Sequence, residues 1–233
     1  GCHQSETGTA TPNCVYGDPD APHTLAVVGG SHVTQWFPAL LGAVEGSDWK
    51  LMIFTKSACL FRETPEPHEP PSCAVWNRNV MAELERIRPD AVFTTTTRGE
   101  YSADEVAPGY VARWRELEAR GIPIVGMRDT PWFQFDVAEC VERFGRDAAR
   151  CSRARADLLS PENPTLQVTG IEGLYPLDFS RFFCDETTCP AVVGNVMVYH
   201  DTHHFGATYA RSLAPMLRDE LMPVLDRIAA ATP

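Results

Sequence analysis

Two short segments carry residue types that together perform nucleophilic catalysis. Ser31 follows two glycines in the segment GGSH, and Asp201 and His204 stand three residues apart in the segment DTHH. A serine is a weak nucleophile until a base takes its proton, and that base needs a group that orients it. On a turn, the D-x-x-H spacing puts both side chains on one side. The pattern therefore predicts Ser31 as nucleophile, His204 as base and Asp201 as orienting carboxylate.

Both segments also have simpler interpretations. Ser31 is a good helix N-cap after a glycine turn, although the segment matches neither the G-x-x-x-x-G-K-[ST] phosphate loop nor the G-x-S-x-G elbow. Asp201 is equally suited to cap the terminal helix, with the histidines on the surface. A metal site is a further interpretation, because four neighbouring side chains are common ligand types: His200, Asp201, His203 and His204. No other ligand cluster supports it, so we expect neither a metal nor a cofactor.

Alternating strands and helices must position these residues. Apolar and β-branched runs predict strands at 24–30, 49–55, 90–97, 122–127 and 191–201. Apolar residues at helical spacing predict helices at 76–87, 111–117, 135–159 and 206–230, the last interrupted near Pro215 and Pro223. Proline-rich residues 60–74 predict a loop. The alternation indicates an α/β fold whose parallel sheet is covered on both faces. Ligands gather at the carboxyl ends of such strands, where Ser31 lies.

Length and composition limit the organisation and the partners. The chain has 233 residues with no internal repeat and no clear linker, so we expect one domain, with a loop-rich extension at 1–23 and a core at 24–233. The net charge of −11 argues against a nucleic-acid partner and does not favour docking on anionic lipid. No apolar run is long enough to span a membrane, and no signal peptide is visible. The cysteines described next favour an oxidising compartment, and an oxidised domain without its own export signal is expected to be a fragment of a longer exported or membrane-anchored protein.

The eight cysteines fall in four close couples along the chain: Cys2 and Cys14, Cys59 and Cys73, Cys140 and Cys151, Cys184 and Cys189. None of the couples has the C-x-x-C spacing of a zinc ribbon or a redox motif. Proximity favours local disulfides between neighbours, although eight cysteines allow about 105 pairings. Disulfides are typical of an oxidising, extracytoplasmic compartment.

The segments GGSH and DTHH resemble blocks I and V of the SGNH hydrolase superfamily. More closely, the chain resembles the extracytoplasmic SGNH domain attached to acyltransferase-3 membrane proteins, over about residues 24 to 218. Four segments support the likeness: VVGGSHVTQWFPAL, RPDAVFTTTT, CDETTCP and YHDTHHFGATYARSLAP. The resemblance implies a flavodoxin-like, three-layer α/β/α sandwich with a Ser31–His204–Asp201 triad.

The same resemblance implies an activity and a partner. Such domains pass an acyl group, most often acetyl, to a hydroxyl of a cell-envelope glycan or glycolipid, on the extracytoplasmic face of the membrane. A fused acyltransferase-3 membrane domain, absent from this chain, delivers the acyl group and tethers the domain. Two alternatives stay open: an extracellular carbohydrate esterase or deacetylase, and a non-catalytic glycan-binding module.

Two departures from the family pattern concern the surroundings of the nucleophile. Gly30 stands where the family has an aspartate that braces the block I loop, and the G-x-N-D block III is replaced by TTTTRG at 94–99. An asparagine oxyanion donor is therefore not carried over. We expect Thr97 or Arg98 to line the site instead, with the backbone N–H groups of Ser31 and Ser57 as oxyanion donors. Arg98 as an ordinary surface cation is an open alternative, and His32 is expected to be a structural residue of the turn.

Overall fold

Runs of apolar residues form a sheet of short strands that helices cover. The structure is a computed structural model that describes residues 1–64, 66–67, 69–100, 103–145 and 149–231. Its strands are β1 (His3–Gln4), β2 (Cys14–Tyr16), β3 (His23–Gly29), β4 (Trp49–Lys56), β5 (Ala91–Thr95), β6 (Ile124–Met127), β7 (Arg153–Ala154), β8 (Leu174–Leu177), β9 (Thr188–Cys189), β10 (Val192–Val193) and β11 (Val196–Met197). Its helices are α1 (Ser31–Thr34), α2 (Phe37–Val44), α3 (Pro71–Ile87), α4 (Tyr110–Glu118), α5 (Val137–Phe144), α6 (Arg155–Leu158), α7 (Ser180–Phe183), α8 (Ala207–Ser212) and α9 (Ala214–Ala231).

The main sheet is largely parallel. Its strand order, within the described residues, is β1-β4-β3-β5-β6-β8. Neighbours in this order pair in parallel, and β2 adds an antiparallel pairing along β4. Leu25 at the centre pairs with Leu51 on one side and with Ala91 on the other. Because the strands run the same way, their carboxyl ends meet at one edge of the sheet, which is where ligands bind in such folds.

Helices pack on both faces of this sheet. Side chains alternate along β3, so Leu25 and Val27 enter a core shared with α2, α8 and α9, whereas Ala26 and Val28 enter a second core shared with α3 and α4. The two cores make three layers, and the predicted α/β/α sandwich is confirmed. None of the helices among the described residues combines the length and the apolar character that crossing a membrane requires.

The prediction of a single sheet strand at 191–201 is wrong. Residues 192–193 and 196–197 form a separate antiparallel hairpin, β10-β11. The two residues between them, Gly194 and Asn195, have φ values of 54° and 65°. Positive φ at both central positions is the type I′ turn that closes two-residue hairpins, so this apolar run folds back on itself. The last strand of the main sheet is instead β8, whose Pro176 is tolerated because β8 lies at the edge of the described sheet.

Other predicted elements differ in extent. The helix expected at 135–159 is limited to α5, which Asp136 caps by accepting the N–H of Glu139, followed by a short 3-10 turn, β7 and α6. The terminal helix breaks between α8 and α9, just before Pro215, but Pro223 lies inside α9. The loop expected at 60–74 ends earlier, because α3 begins at Pro71.

Disulfides join the same four couples that proximity favours. The bonded pairs are Cys2–Cys14, Cys59–Cys73, Cys140–Cys151 and Cys184–Cys189, and all eight cysteines lie in the described ranges. Cys59–Cys73 ties the segment that follows β4 to the start of α3. This segment forms one wall of the site described next.

Candidate active site

The predicted nucleophile, base and carboxylate meet at the carboxyl edge of the sheet. Ser31 begins α1, directly after β3, and Asp201 and His204 lie on the loop between β11 and α8. His204 Nε2 is 2.7 Å from Ser31 Oγ, and His204 Nδ1 is 2.7 Å from Asp201 Oδ2. The carboxylate only accepts, so Nδ1 carries the proton and Nε2 presents its lone pair to the serine hydroxyl. The arrangement can take a proton from Ser31.

Asp201 also shapes the turn that carries His204. Its Oδ1 accepts the backbone N–H groups of His203 and His204, at 2.8 Å and 2.7 Å. One carboxylate therefore sets both the backbone of the D-x-x-H turn and the orientation of the imidazole. From the other side, Gln35 in the turn after α1 accepts the backbone N–H of Phe205 at 2.9 Å, which ties this loop to the helix that begins with Ser31.

The simpler interpretations of these residues are wrong. Gly30, not Ser31, occupies the N-cap of α1, and the Ser31 hydroxyl bonds to His204 rather than to backbone. Gly206, not Asp201, occupies the N-cap of α8.

Burial and hydrogen bonding set the protonation of the site. Burial alone raises the pKa of Asp201, but the N–H groups of His203 and His204 and the His204 ring outweigh it, so the pKa lies well below its usual range. Burial and the neighbouring His32 lower the pKa of His204, against the opposing effect of Asp201. Burial, with His32 and His204 nearby, lowers the pKa of His203 to about 4. At neutral pH, Asp201 is charged and both of these histidines are neutral.

A second chain of hydrogen bonds lies beside the Ser31–His204–Asp201 chain. It was not predicted from the sequence. His32 Nδ1 is 2.7 Å from Asp129 Oδ1, and His32 Nε2 is 2.8 Å from His203 Nδ1. Trp132 stacks on both imidazoles, with ring centroids 4.4 Å and 4.2 Å away, and donates its indole N–H to Asp129. Asp129 lies two residues after the end of β6, and this position near a strand end was the sequence signal that could have identified it. The His32 ring, expected only to be structural, bonds a buried carboxylate on one side and a second imidazole on the other.

The spacing of these histidines fits hydrogen bonds better than metal ligation. His32, His203 and His204 are close enough to be considered as ligands, as are His200, Asp201 and His204. A tetrahedral zinc ion holds two imidazole nitrogens about 3.3 Å apart. The His32 and His203 nitrogens are 2.8 Å apart, and both nitrogens of His204 are engaged by Ser31 and Asp201.

Two cavities meet at Ser31 and His204. The first, of about 430 Å³, is walled by polar side chains that include Ser57, Arg98 and His203. The second, of about 520 Å³, has a mostly apolar surface to which Phe37 and Phe205 contribute, although polar side chains such as Gln35 and His200 also line it. The Ser31 hydroxyl is therefore reachable from two sides, and the first cavity is the more polar of the two.

Two of the predicted lining groups need correction. Thr97 is fully buried and its hydroxyl accepts the backbone N–H of Asp129, so it supports the second chain rather than lining the cavity. The Ser57 side chain lines the first cavity, but its backbone N–H donates to the Gln4 carbonyl in β1 and is not free to hold an oxyanion. Arg98 does line the cavity, paired with Glu100 and 5.2 Å from the centre of the Trp132 ring.

Comparison with known proteins identifies the family. The family model for SGNH domains fused to AT3 domains matches residues 1–219. This chain belongs to that SGNH family. The resemblance found in the sequence is therefore confirmed. The fold is similar to that of the Salmonella ser. Paratyphi A lipopolysaccharide acetyltransferase periplasmic domain, with a TM-score of 0.66, 14% identity, and coverage of 95% of this chain and 91% of that chain. No curated protein matches the sequence.

The structure gives a packing reason for glycine, rather than aspartate, before Ser31 in this SGNH domain. A Cβ atom added at Gly30 would lie 2.9 Å from the Cys59 carbonyl oxygen. The backbone of Cys59, held by the disulfide to Cys73, thus fills the space in which an aspartate side chain would begin. Packing of this segment against the block I loop replaces the bracing side chain.

We predict that Gly30→Asp, which restores the residue usual in the family, lowers the free energy of unfolding by about 1–3 kcal/mol, because the added atoms overpack against backbone. Gly30→Ala isolates the Cβ clash. Gly173→Asp is the matched control, since a Cβ there meets its nearest neighbour at an ordinary 3.7 Å. Urea unfolding of the three variants measures the effect, and a Gly30→Asp protein as stable as wild type would contradict the packing argument.

Proposed function

We propose that this domain transfers an acyl group, most simply acetyl, to a hydroxyl group of a cell-envelope glycan or glycolipid through an acyl-Ser31 intermediate. The observation that carries the proposal is the Ser31–His204–Asp201 chain, with 2.7 Å at both links. The chain belongs to a family of SGNH domains that are fused to AT3 domains, and this supports acyl transfer. The similar fold of a lipopolysaccharide acetyltransferase periplasmic domain supports an acetyl group and an envelope acceptor.

Acylation begins at the hydroxyl of Ser31. Its Oγ attacks the carbonyl carbon of the donor while His204 Nε2 takes the hydroxyl proton, and Asp201 stabilises the resulting imidazolium. The bond to the leaving group then breaks, and the leaving group takes the proton from His204. The product is an ester of Ser31 and a neutral His204.

Transfer to the acceptor reverses these roles. An acceptor hydroxyl gives its proton to His204 Nε2 and attacks the acyl carbon, the bond to Ser31 Oγ breaks, and the serine oxygen recovers the proton from His204. Water in place of the acceptor gives hydrolysis by the same steps. The esterase alternative therefore differs from the transferase in what reaches the polar cavity, not in the catalytic groups.

Backbone N–H groups are the proposed oxyanion donors. Ser31 supplies one of them, as the sequence suggests. In place of Ser57 we assign the second to Ala58, which lines the same cavity and has a φ of 50°. The Ala58 N–H donates to no group within the described ranges of the chain. A non-glycine residue held in this rare conformation beside a nucleophile is consistent with a functional constraint.

The proposal includes a place and a partner. The fused AT3 membrane domain of the family would deliver the acyl group and tether this domain to the membrane, so the reaction would take place on the extracytoplasmic side. The four disulfides are compatible with that oxidising compartment. A single folded unit over 1–233 is also part of the proposal.

We predict that Ser31→Ala and His204→Ala each lower the rate of nitrophenyl acetate hydrolysis by about 10³-fold or more, because triad members act as a unit. The folded state should persist, since neither side chain belongs to the apolar core. Ser212→Ala, an exposed serine at the end of α8, is the matched control and should keep the wild-type rate.

The same assay distinguishes the metal site and the non-catalytic module. A chelator should leave the wild-type rate unchanged. Loss of turnover with chelator, together with an active Ser31→Ala protein, would replace the triad by a metal mechanism, and absence of any turnover in the wild-type domain would favour the glycan-binding module.

We predict that hydrolysis rises with pH through a single step whose midpoint lies below 6.5, the ordinary histidine value. His204 must be neutral to act as a base, and its pKa is lowered by burial, so the active form already dominates at lower pH. His203, with a pKa near 4, should add no step in the neutral range. A midpoint clearly above 6.5 would show that the charge on Asp201 outweighs burial at this site.

A further inference from the structure

The second hydrogen-bonded chain, Asp129–His32–His203, ends at the catalytic cavity and has no role in the proposed steps. Its first two members are almost completely buried, with side-chain exposures of 3% for Asp129 and 7% for His32. His203 is only partly buried and lines the polar cavity beside Ser31 and His204. Stabilising the turn after β3 does not require a buried carboxylate that is connected, through one imidazole, to a second imidazole facing the cavity.

The chain determines which nitrogen of His203 carries a proton. Asp129 Oδ1 also accepts the backbone N–H of Thr130, and Asp129 Oδ2 accepts the indole N–H of Trp132, so this carboxylate acts as an acceptor throughout. His32 then donates from Nδ1, and in the neutral tautomer that does so Nε2 is unprotonated. The 2.8 Å contact with His203 is therefore a bond donated by His203 Nδ1, and His203 Nε2 is left with a lone pair.

Packing holds this lone pair in one direction. Trp132 stacks on His203 at an interplanar angle of 11° and on His32 at 14°, so both rings are fixed in nearly one plane. His203 Nδ1 faces His32. Because His203 also lines the cavity, we infer that Nε2, on the far side of the ring, faces the cavity. Nε2 has no hydrogen-bond partner within the part of the chain that the structure describes. Since burial keeps this ring neutral near pH 7, Nε2 is an acceptor there.

We propose that His203 Nε2 accepts a hydrogen bond from a second hydroxyl group of the acceptor, next to the hydroxyl that His204 deprotonates. This inference rests on the proposed function, because it needs an acyl-Ser31 to be attacked. The His203 and His204 ring centroids are only 4.0 Å apart, so two neighbouring hydroxyls of one sugar ring can meet the two imidazoles together. The preferred acceptor class is then a vicinal diol, and His203 is a specificity residue that favours such a glycan over water.

The test measures how acyl-enzyme is divided between an alcohol and water. Nitrophenyl acetate is the donor, and 1,2-cyclohexanediol or cyclohexanol is the acceptor. Nitrophenol release gives the total turnover, and the cyclohexyl ester formed gives transfer. For wild type, the transfer-to-hydrolysis ratio per hydroxyl group should be about 2- to 10-fold higher for the diol, the effect of one hydrogen bond.

His203→Phe keeps an aromatic ring on Trp132 and removes the acceptor nitrogen. It should abolish the advantage of the diol. Because both alcohols compete with water for the same acyl-enzyme, any change in the rate of acylation cancels from the ratio. His23→Phe is the matched control, because His23 also stacks on a tryptophan and bonds to an aspartate but lies at the amino end of β3. That control should retain the advantage of the diol.

The outcomes separate the inference from the function on which it rests. Equal ratios for the two alcohols in the wild-type protein would overturn the role of His203, whether or not any variant folds. An unchanged advantage of the diol in His203→Phe would also overturn the role of His203. A purely structural role predicts that His203→Phe slows acylation and transfer to both alcohols equally, and that result would overturn the inference too. Nitrophenol release that survives Ser31→Ala would instead reject the proposed function.

Discussion

The site depends on one hydrogen bond between residues 173 positions apart, from Ser31 Oγ to His204 Nε2. Neither partner can make it from its own segment, so the sheet must bring the end of β3 beside the loop before α8. Aromatic packing holds the loop before α8 in position relative to α1. Trp36, just after α1, packs against Phe205 at 5.0 Å between ring centroids, and Phe205 packs against Phe183 at 5.2 Å. A shift of about 1 Å in this packing would separate the Ser31 hydroxyl from the His204 imidazole.

Two Asp–His arrangements lie at this edge of the sheet, and in both of them a carboxylate determines which imidazole nitrogen carries the proton. In each, a carboxylate that can only accept fixes the tautomer of an imidazole. Asp201 leaves the lone pair of His204 on Ser31, whereas Asp129, acting through His32, leaves the lone pair of His203 on the cavity. Burial first, and the neighbouring histidines second, lower the pKa values of His203 and His204, which keeps both cavity-facing rings neutral in an acidic protein.

The parts that local patterns determine could be predicted from the sequence. The β3–turn–α1 unit around Ser31 follows from an apolar run ended by glycines, and the D-x-x-H turn follows from its spacing. The parts that depend on distant partners could not. Ser57 lost its predicted role because its N–H bonds to β1, and Thr97 because its hydroxyl supports Asp129. Gly194 and Asn195 form a turn that makes a hairpin of the apolar run at 191–201. The edge strand β8 was not predicted, because it contains Pro176.

The measurement that tests the central claim most directly is reaction with a fluorophosphonate, a reagent that needs an activated serine. Peptide mapping of the labelled domain should place one adduct on the peptide with Ser31, and labelling should be lost in Ser31→Ala and strongly slowed in His204→Ala. An adduct on another serine, or no adduct in folded protein at neutral pH, would contradict the triad, because the short contacts to His204 and Asp201 would then not activate Ser31.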